Sequence, residues 1–142
     1  SNSDIINLLA KFGIKTDSSR IAFHPSPLTI VELWGSGEPY REFLYVEDLS
    51  DACVFLMENY DYTDIGEFIN IGTGEDLKIK DLAKIIKDIV GFGGEIKHDL
   101  SKPDGPPKKL LDISRMKALG WEPKVSLEEG IKKCGTVIRK VY

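Results

Sequence analysis

The hydrophobic positions of this chain switch between two periods, and the switches fall at recognisable punctuation. Ile5, Leu8, Leu9 and Phe12 recur at helical spacing and stop at Gly13, predicting a short amphipathic helix behind Ser1-Asn-Ser3, which reads as a cloning remnant plus an N-cap. From Ile14 to Leu28 the periodicity vanishes, and Asp17-Ser-Ser19 with His24-Pro-Ser-Pro27 predicts a surface loop. Thr29 to Leu33 is a β-prone run and Glu42 to Val46 a second, with Gly35, Gly37 and Pro39 turning the chain between them. Asp48 stands where an N-cap carboxylate belongs, ahead of Leu49, Ala52, Cys53, Leu56 and Met57 on one helical stripe. Phe68-Ile-Asn-Ile71 predicts a buried strand. Leu82, Ile85, Ile86 and Ile89 line a helix stopped by Gly91, and Glu95 to Asp99 extends again. Ser126-Leu-Glu-Glu129 is a capping box opening a helix whose face is Leu127, Ile131, Cys134, Ile138 and Val141. The succession predicts an α/β chain (mixed α+β) without internal repeats, with a helix and variable loop over residues 1–28 and one domain over residues 29–142.

Bulk properties narrow the partners. A chain of 142 residues is long enough to bury a core. Nineteen basic against 23 acidic residues give a net charge of -4, which argues against nucleic acid and anionic membrane, partners that select broad positive excess. No apolar run approaches the roughly 20 residues that span a bilayer, and no signal-peptide stretch opens the chain, so a cytoplasmic location is expected. Cys53 and Cys134 fall on predicted apolar faces and are expected to be small buried hydrophobes. His24 and His98 stand apart from any ligand cluster, so no metal site is expected.

The candidate chemistry lies in two stretches. Lys102-Pro-Asp-Gly-Pro-Pro-Lys-Lys109 is stiff and cationic, since proline fixes φ and Gly105 permits a turn, and it can hold ammonium groups in place for an anion such as a phosphate. Trp34-Gly-Ser-Gly-Glu-Pro-Tyr-Arg41 puts an indole, a glycine turn and a forked cation beside an apolar run, which suits a base or sugar with a diphosphate. A dinucleotide fingerprint is absent: after Gly72-Thr-Gly74 the third glycine position is Leu77, after Gly35-Ser-Gly37 it is Tyr40, and after Gly91-Phe-Gly93 it is Ile96. No residue is therefore expected to bind a cofactor, and Asn70-Ile-Gly-Thr-Gly74 is expected to be a strand end and tight turn.

Trp34-Gly-Ser-Gly-x-Pro-x-Arg-Glu-Phe-Leu44 and Ser101-Lys-Pro-Asp-Gly-x-Pro-x-Lys-Leu-Leu-Asp112 resemble the GDP-L-fucose synthase family of extended short-chain dehydrogenase/reductases. Phe68-Ile-Asn-Ile-Gly-Thr-Gly74 and Leu111-Asp-Ile-Ser-Arg-Met-Lys-Ala-Leu-Gly-Trp-Glu-Pro123 resemble nucleotide-sugar epimerases and dehydratases more widely. The resemblance runs from about Ile30 to the C-terminus. It implies the small substrate-binding domain of such an enzyme, with the Rossmann half absent from this chain and NADP the cofactor of the full-length parent. The parent would epimerise GDP-4-keto-6-deoxy-mannose at two carbons and reduce it with NADPH to GDP-L-fucose. The implied partners are the GDP-sugar substrate, the missing N-terminal Rossmann half and a second parent subunit in a homodimer.

Catalysis in that superfamily uses a tyrosine with a lysine four residues on. That position holds Leu44 after Tyr40, Leu49 after Tyr45, Asp64 after Tyr60 and Gly66 after Tyr62, and Tyr142 is the last residue. No catalytic residue is expected here, and the isolated chain is expected to be inactive. The resemblance assigns Arg41 to diphosphate oxygens, Lys109 to the same diphosphate or nearby sugar oxygens, and Trp34 to the nucleotide sugar. Asp104 is either an acceptor for guanine N–H groups or a turn cap. Lys102 and Lys108 are expected to be solvated and Trp121 to anchor the core. The chain departs from the family pattern at Tyr40, Pro106 and Glu95, where methionine, threonine and a basic residue are found in relatives, so Glu95 is not assigned to the site. Two alternatives stand: a relative acting on a UDP- or dTDP-linked sugar, and a non-catalytic nucleotide-sugar binding module.

Overall fold

A computed structural model describes residues 14–15 and 30–141, with side chains from residue 30 to residue 136. In chain order the elements are β1 (Ile14–Lys15), β2 (Ile30–Trp34), β3 (Tyr40–Arg41), α1 (Val46–Asn59), α2 (Tyr62–Ile65), β4 (Leu77–Lys78), α3 (Ile79–Val90), β5 (Glu95–Asp99), β6 (Lys108–Lys109), α4 (Ser114–Ala118) and α5 (Leu127–Val141). The helix expected over residues 3–12 lies outside the described residues. The chain divides into two compact units, one of Ser1–Pro39 with Lys78–Pro107 and one of Tyr40–Leu77 with Lys108–Tyr142.

In the first unit β2 is the centre of a sheet ordered β1-β2-β5. β5 runs parallel to it in the register Ile30↔Glu95 through Trp34↔Asp99. β1 pairs antiparallel, Ile14↔Val31 and Lys15↔Ile30, so the expected loop over residues 14–28 is corrected at its start: two of its residues complete a ladder for β2. α3 precedes β5, with Asp81 in its first turn and Lys87 in its last, where each complements the helix dipole. It ends as expected at Gly91, whose φ of 68° is left-handed. Lys87 then donates to the Gly94 carbonyl at 2.7 Å and fixes the turn into β5.

In the second unit Ala52, Leu56, Met116 and Trp121 form the buried core, with Leu44, Phe55, Tyr60, Ile65, Ile69, Ile71 and Leu119 packed against it. Trp121 is 4% exposed, as a core anchor should be, and its Nε1 donates to Asp51 at 2.8 Å. β3 and β6 pair in parallel. Asp61 caps α2 through a full capping box with Asp64. For α5, Ser126 Oγ accepts from the Glu129 N–H at 3.3 Å, while the Glu129 carboxylate pairs with Lys133 at 3.0 Å.

Several local expectations are overturned in this unit. The strand expected over Glu42–Val46 is instead two residues, Tyr40–Arg41, and helix α1 already begins at Val46. Asp48 is not the cap, which falls on Tyr45; it sits in the first helical turn, 3% exposed, and its Oδ2 accepts the N–H groups of Lys124 at 3.1 Å and Val125 at 2.9 Å. The buried face of α1 is Asp48, Ala52 and Leu56, whereas Leu49, Cys53 and Met57 of the expected stripe are exposed. Cys134 is exposed as well, so neither thiol is the buried hydrophobe expected. Phe68–Ile71 is not a strand. Side-chain hydrogen bonds anchor the segment instead: Arg115 donates to the Phe68 carbonyl at 2.8 Å and to that of Ile65 just before it, and the segment's own Asn70 amide donates to the Asp112 carbonyl at 3.1 Å.

Candidate nucleotide-sugar site

The four residues singled out from sequence fall in two groups, Trp34 and Asp104 in the first unit and Arg41 and Lys109 in the second.

Trp34 closes β2 and is 72% exposed, presenting its ring to solvent. The turn that follows needs glycine at Gly35 and Gly37, where φ is +76° and +73°. Asp104 fastens this turn. Its Oδ1 accepts the Ser36 N–H at 2.8 Å and its Oδ2 the Ser36 hydroxyl at 2.6 Å, so the carboxylate reaches back from the proline-rich loop and holds the residues after Trp34 in place. A Cβ on Gly35 would lie 2.3 Å from Asp104 Oδ1, so the carboxylate comes this close only because that position is glycine. His98 Nδ1 lies 3.2 Å from the Gly35 carbonyl. Lys102 is exposed, as expected, and lies 5.6 Å from the Trp34 ring centroid, within cation–π range. Glu38 ends the turn between Lys78 and Lys80; the hydrogen bond from Lys78 and then that from Lys80 bring its carboxyl from 4.5 down to about 2.

The second group is built on the β3–β6 ladder. Arg41 and Lys109 are register partners, as are Tyr40 and Lys108. Partners in neighbouring strands lie about 4.8 Å apart and project to the same side, so a guanidinium and an ammonium share one face. Arg41 Nη1 donates to the Tyr40 carbonyl at 2.6 Å, which steadies the planar fork. Lys109 lies within strand β6 itself, and Leu110 and Leu111 are half-exposed after it. Lys108 is exposed, as expected, and also engaged: its Nζ lies 3.2 Å from Asp76 and 6.0 Å from the Tyr40 ring centroid. Asp76 Oδ2 is buried and, despite that ion-pair distance, accepts no well-directed hydrogen bond.

Glu42 was not singled out from sequence, yet it joins more of this group than any residue that was. One carboxylate oxygen accepts the N–H groups of Thr73 at 2.6 Å and Gly74 at 2.7 Å, and the other accepts Leu111 N–H at 3.1 Å. An acid between Arg41 and the apolar Phe43-Leu44 was the available signal, since a carboxylate in such a setting must find donors. The same contacts answer whether the Gly72-Thr-Gly74 turn fits NADP. It does not, because the N–H groups that would take a pyrophosphate are already bonded to Glu42, in agreement with the failed glycine spacing. Among the described residues there is no cluster of His, Cys, Asp and Glu suited to a metal and no helix long and apolar enough to cross a membrane.

The mixed α/β chain is consistent with part of an extended short-chain dehydrogenase/reductase, and residues 20–72 match the NAD dependent epimerase/dehydratase family. Over more of its length the chain matches the C-terminal part of GDP-L-fucose synthases. It is 50% identical to GDP-L-fucose synthase 1 of Arabidopsis thaliana over 72% of this chain and 31% of that protein. With the GDP-L-fucose synthase of Escherichia coli it is 44% identical over 71% of this chain and 33% of that protein. A GDP-6-OMe-4-keto-L-xylo-heptose reductase from C. jejuni superposes with a TM-score of 0.82 at 34% identity, covering 99% of this chain and 39% of that one. The chain thus spans about 30% of the length of the curated relatives it matches.

Proposed function

We propose that this chain is the GDP-sugar-binding C-terminal portion of a GDP-L-fucose synthase. It works with an N-terminal NADP-binding Rossmann portion of the same polypeptide, in a homodimer. The substrate is GDP-4-keto-6-deoxy-mannose, epimerised beside its ketone and then reduced by NADPH; the proton and hydride transfers belong to the Rossmann portion. In this reading Arg41 forks onto the diphosphate, Lys109 adds a second positive charge to it, and Trp34 packs against the nucleotide sugar. Asp104 keeps the Trp34 turn in its binding shape and takes guanine N–H donors on its remaining lone pairs.

The observation that carries the reading is the Arg41–Lys109 register, which brings two cations from distant parts of the chain to one face of a ladder. A diphosphate is the ligand class that such a pair recognises best, because one fork and one point charge match its several oxygens. The test is the full-length enzyme assayed with GDP-4-keto-6-deoxy-mannose and NADPH. Arg41→Ala should weaken GDP-sugar binding by roughly 1.5–3 kcal/mol, the scale of a lost charge-assisted hydrogen bond, and Arg41→Lys should restore only part. Unchanged KM and kcat in Arg41→Ala would refute the assignment, and preference for a UDP- or dTDP-linked sugar would move the chain to the other branch of its family.

A further inference from the structure

The cationic ladder is two residues long on each side, too short to hold its own register. Something else must set how Arg41 and Lys109 face each other. Glu42 follows Arg41 directly, and its carboxylate gathers donors from both flanks. Oε1 takes the N–H groups of Thr73 and Gly74 at 2.6 and 2.7 Å and the Thr73 hydroxyl at 3.3 Å. Oε2 takes the N–H of Leu111, two residues after Lys109, at 3.1 Å. The end of β3 is thereby tied to the glycine turn, and the end of β6 is tied to the same carboxylate. The turn is shaped to admit it: a Cβ on Gly72 would lie 2.4 Å from Oε1 and 3.0 Å from Oε2.

We propose that Glu42 is a positioning residue for diphosphate binding, fixing the spacing of Arg41 and Lys109 without touching the ligand. The inference rests on the reading of Arg41 and Lys109 given above. Its chemistry is that of a clamp at the end of β3, one oxygen holding the glycine turn and the other the segment that follows β6. Glutamine keeps the shape but not the acceptors: its carbonyl can retain the Thr73 and Gly74 N–H groups, and its amide then meets the Leu111 N–H donor to donor. β6 is released while the turn stays closed.

The experiment uses the full-length enzyme and inhibition by GDP, with Glu42→Gln, Arg41→Ala and the double variant, each checked for native near-UV circular dichroism. Glu42→Gln should weaken GDP on the order of tenfold, the effect of one lost hydrogen bond to a charged acceptor, with a far smaller change in kcat at saturating substrate. Arg41→Ala in the Glu42→Gln background should then cost clearly less than in the parent sequence, because the arginine has already lost its placement. A purely structural glutamate gives additive losses, and additivity overturns the proposal. If Arg41→Ala weakens GDP and Glu42→Gln does not, the positioning role fails and the binding reading stands; if Arg41→Ala leaves GDP binding unchanged, the binding reading itself fails. Should Glu42→Gln not fold, Gly72→Ala carries the same test, since it displaces the carboxylate without removing it.

Discussion

Truncating Asp48 to alanine separates a carboxylate that caps its own helix from one that holds a distant loop. Asp48 is 3% exposed, and its Oδ2 receives the Lys124 and Val125 N–H groups at 3.1 and 2.9 Å. Alanine leaves both donors without a protein acceptor, at about 1–3 kcal/mol for each fully buried group. Lys124 is an exposed residue, so water takes over part of its N–H, and the pair sits nearer the lower end at about 2–4 kcal/mol. Loss of a negative charge from the first turn of α1 adds about 0.3–1 kcal/mol. The sum is a large share of the roughly 5–15 kcal/mol that stabilises a domain. Asparagine should cost far less, about 1–2 kcal/mol, because both N–H groups converge on one oxygen, which an amide oxygen reproduces without the charge. The assay is urea unfolding followed by circular dichroism, with the slope held constant between variants so that a midpoint shift reports stability. An Asp48→Ala effect within about 0.5 kcal/mol, the range of ordinary surface substitutions, would refute the tether. An asparagine variant as unstable as the alanine one would show that the charge matters and the acceptor does not.

Other consequences are equally measurable. Glu38 has its carboxyl held down to about 2 by Lys78 and Lys80, so its contribution to stability is complete above about 4.5 and is lost as pH falls toward 2; Glu38→Gln should flatten the pH dependence of the urea midpoint across that window, and unchanged acid sensitivity would refute the pairing. Because Glu38 is exposed, high salt should mute the same difference. Gly35→Ala places a Cβ at 2.3 Å from Asp104 with φ at +76°, so it should cost about 1–3 kcal/mol and shift Trp34 fluorescence; a neutral variant would show that the turn relaxes freely.

How much was legible depends on how far apart the partners lie. α3 and its Gly91 stop were readable because every signal is local: the apolar spacing of Leu82, Ile85 and Ile89, the acid at its start and the glycine at its end. α1 was found with Ala52 and Leu56 on its buried side, but Leu49, Cys53 and Met57 were wrongly placed there with them. Val46, Leu49, Cys53, Val54 and Met57 are as apolar as the face carrying Ala52 and Leu56, and a period of 3.6 cannot choose between two apolar sides. Arg41 and Lys109 were each visible as cations in a motif, while their pairing is a property of the ladder and appears in no window of sequence.

The remaining misreadings share one physical cause. Glu42 and Asp48 are acids set in apolar runs, and both looked local, one as part of a strand and the other as a cap. A carboxylate cannot be buried without donors, so each turned inward and collected backbone N–H groups from loops far away in sequence, 76 residues away for Lys124. Arg115 and Asn70 do the converse, supplying side-chain donors to carbonyls where a strand ladder was expected. In this unit, side chains replace much of the ladder that short strands cannot provide. That gives the alternation of Arg41 and Glu42 its meaning: the acid spends its oxygens on the fold, and in doing so sets where the neighbouring cation stands.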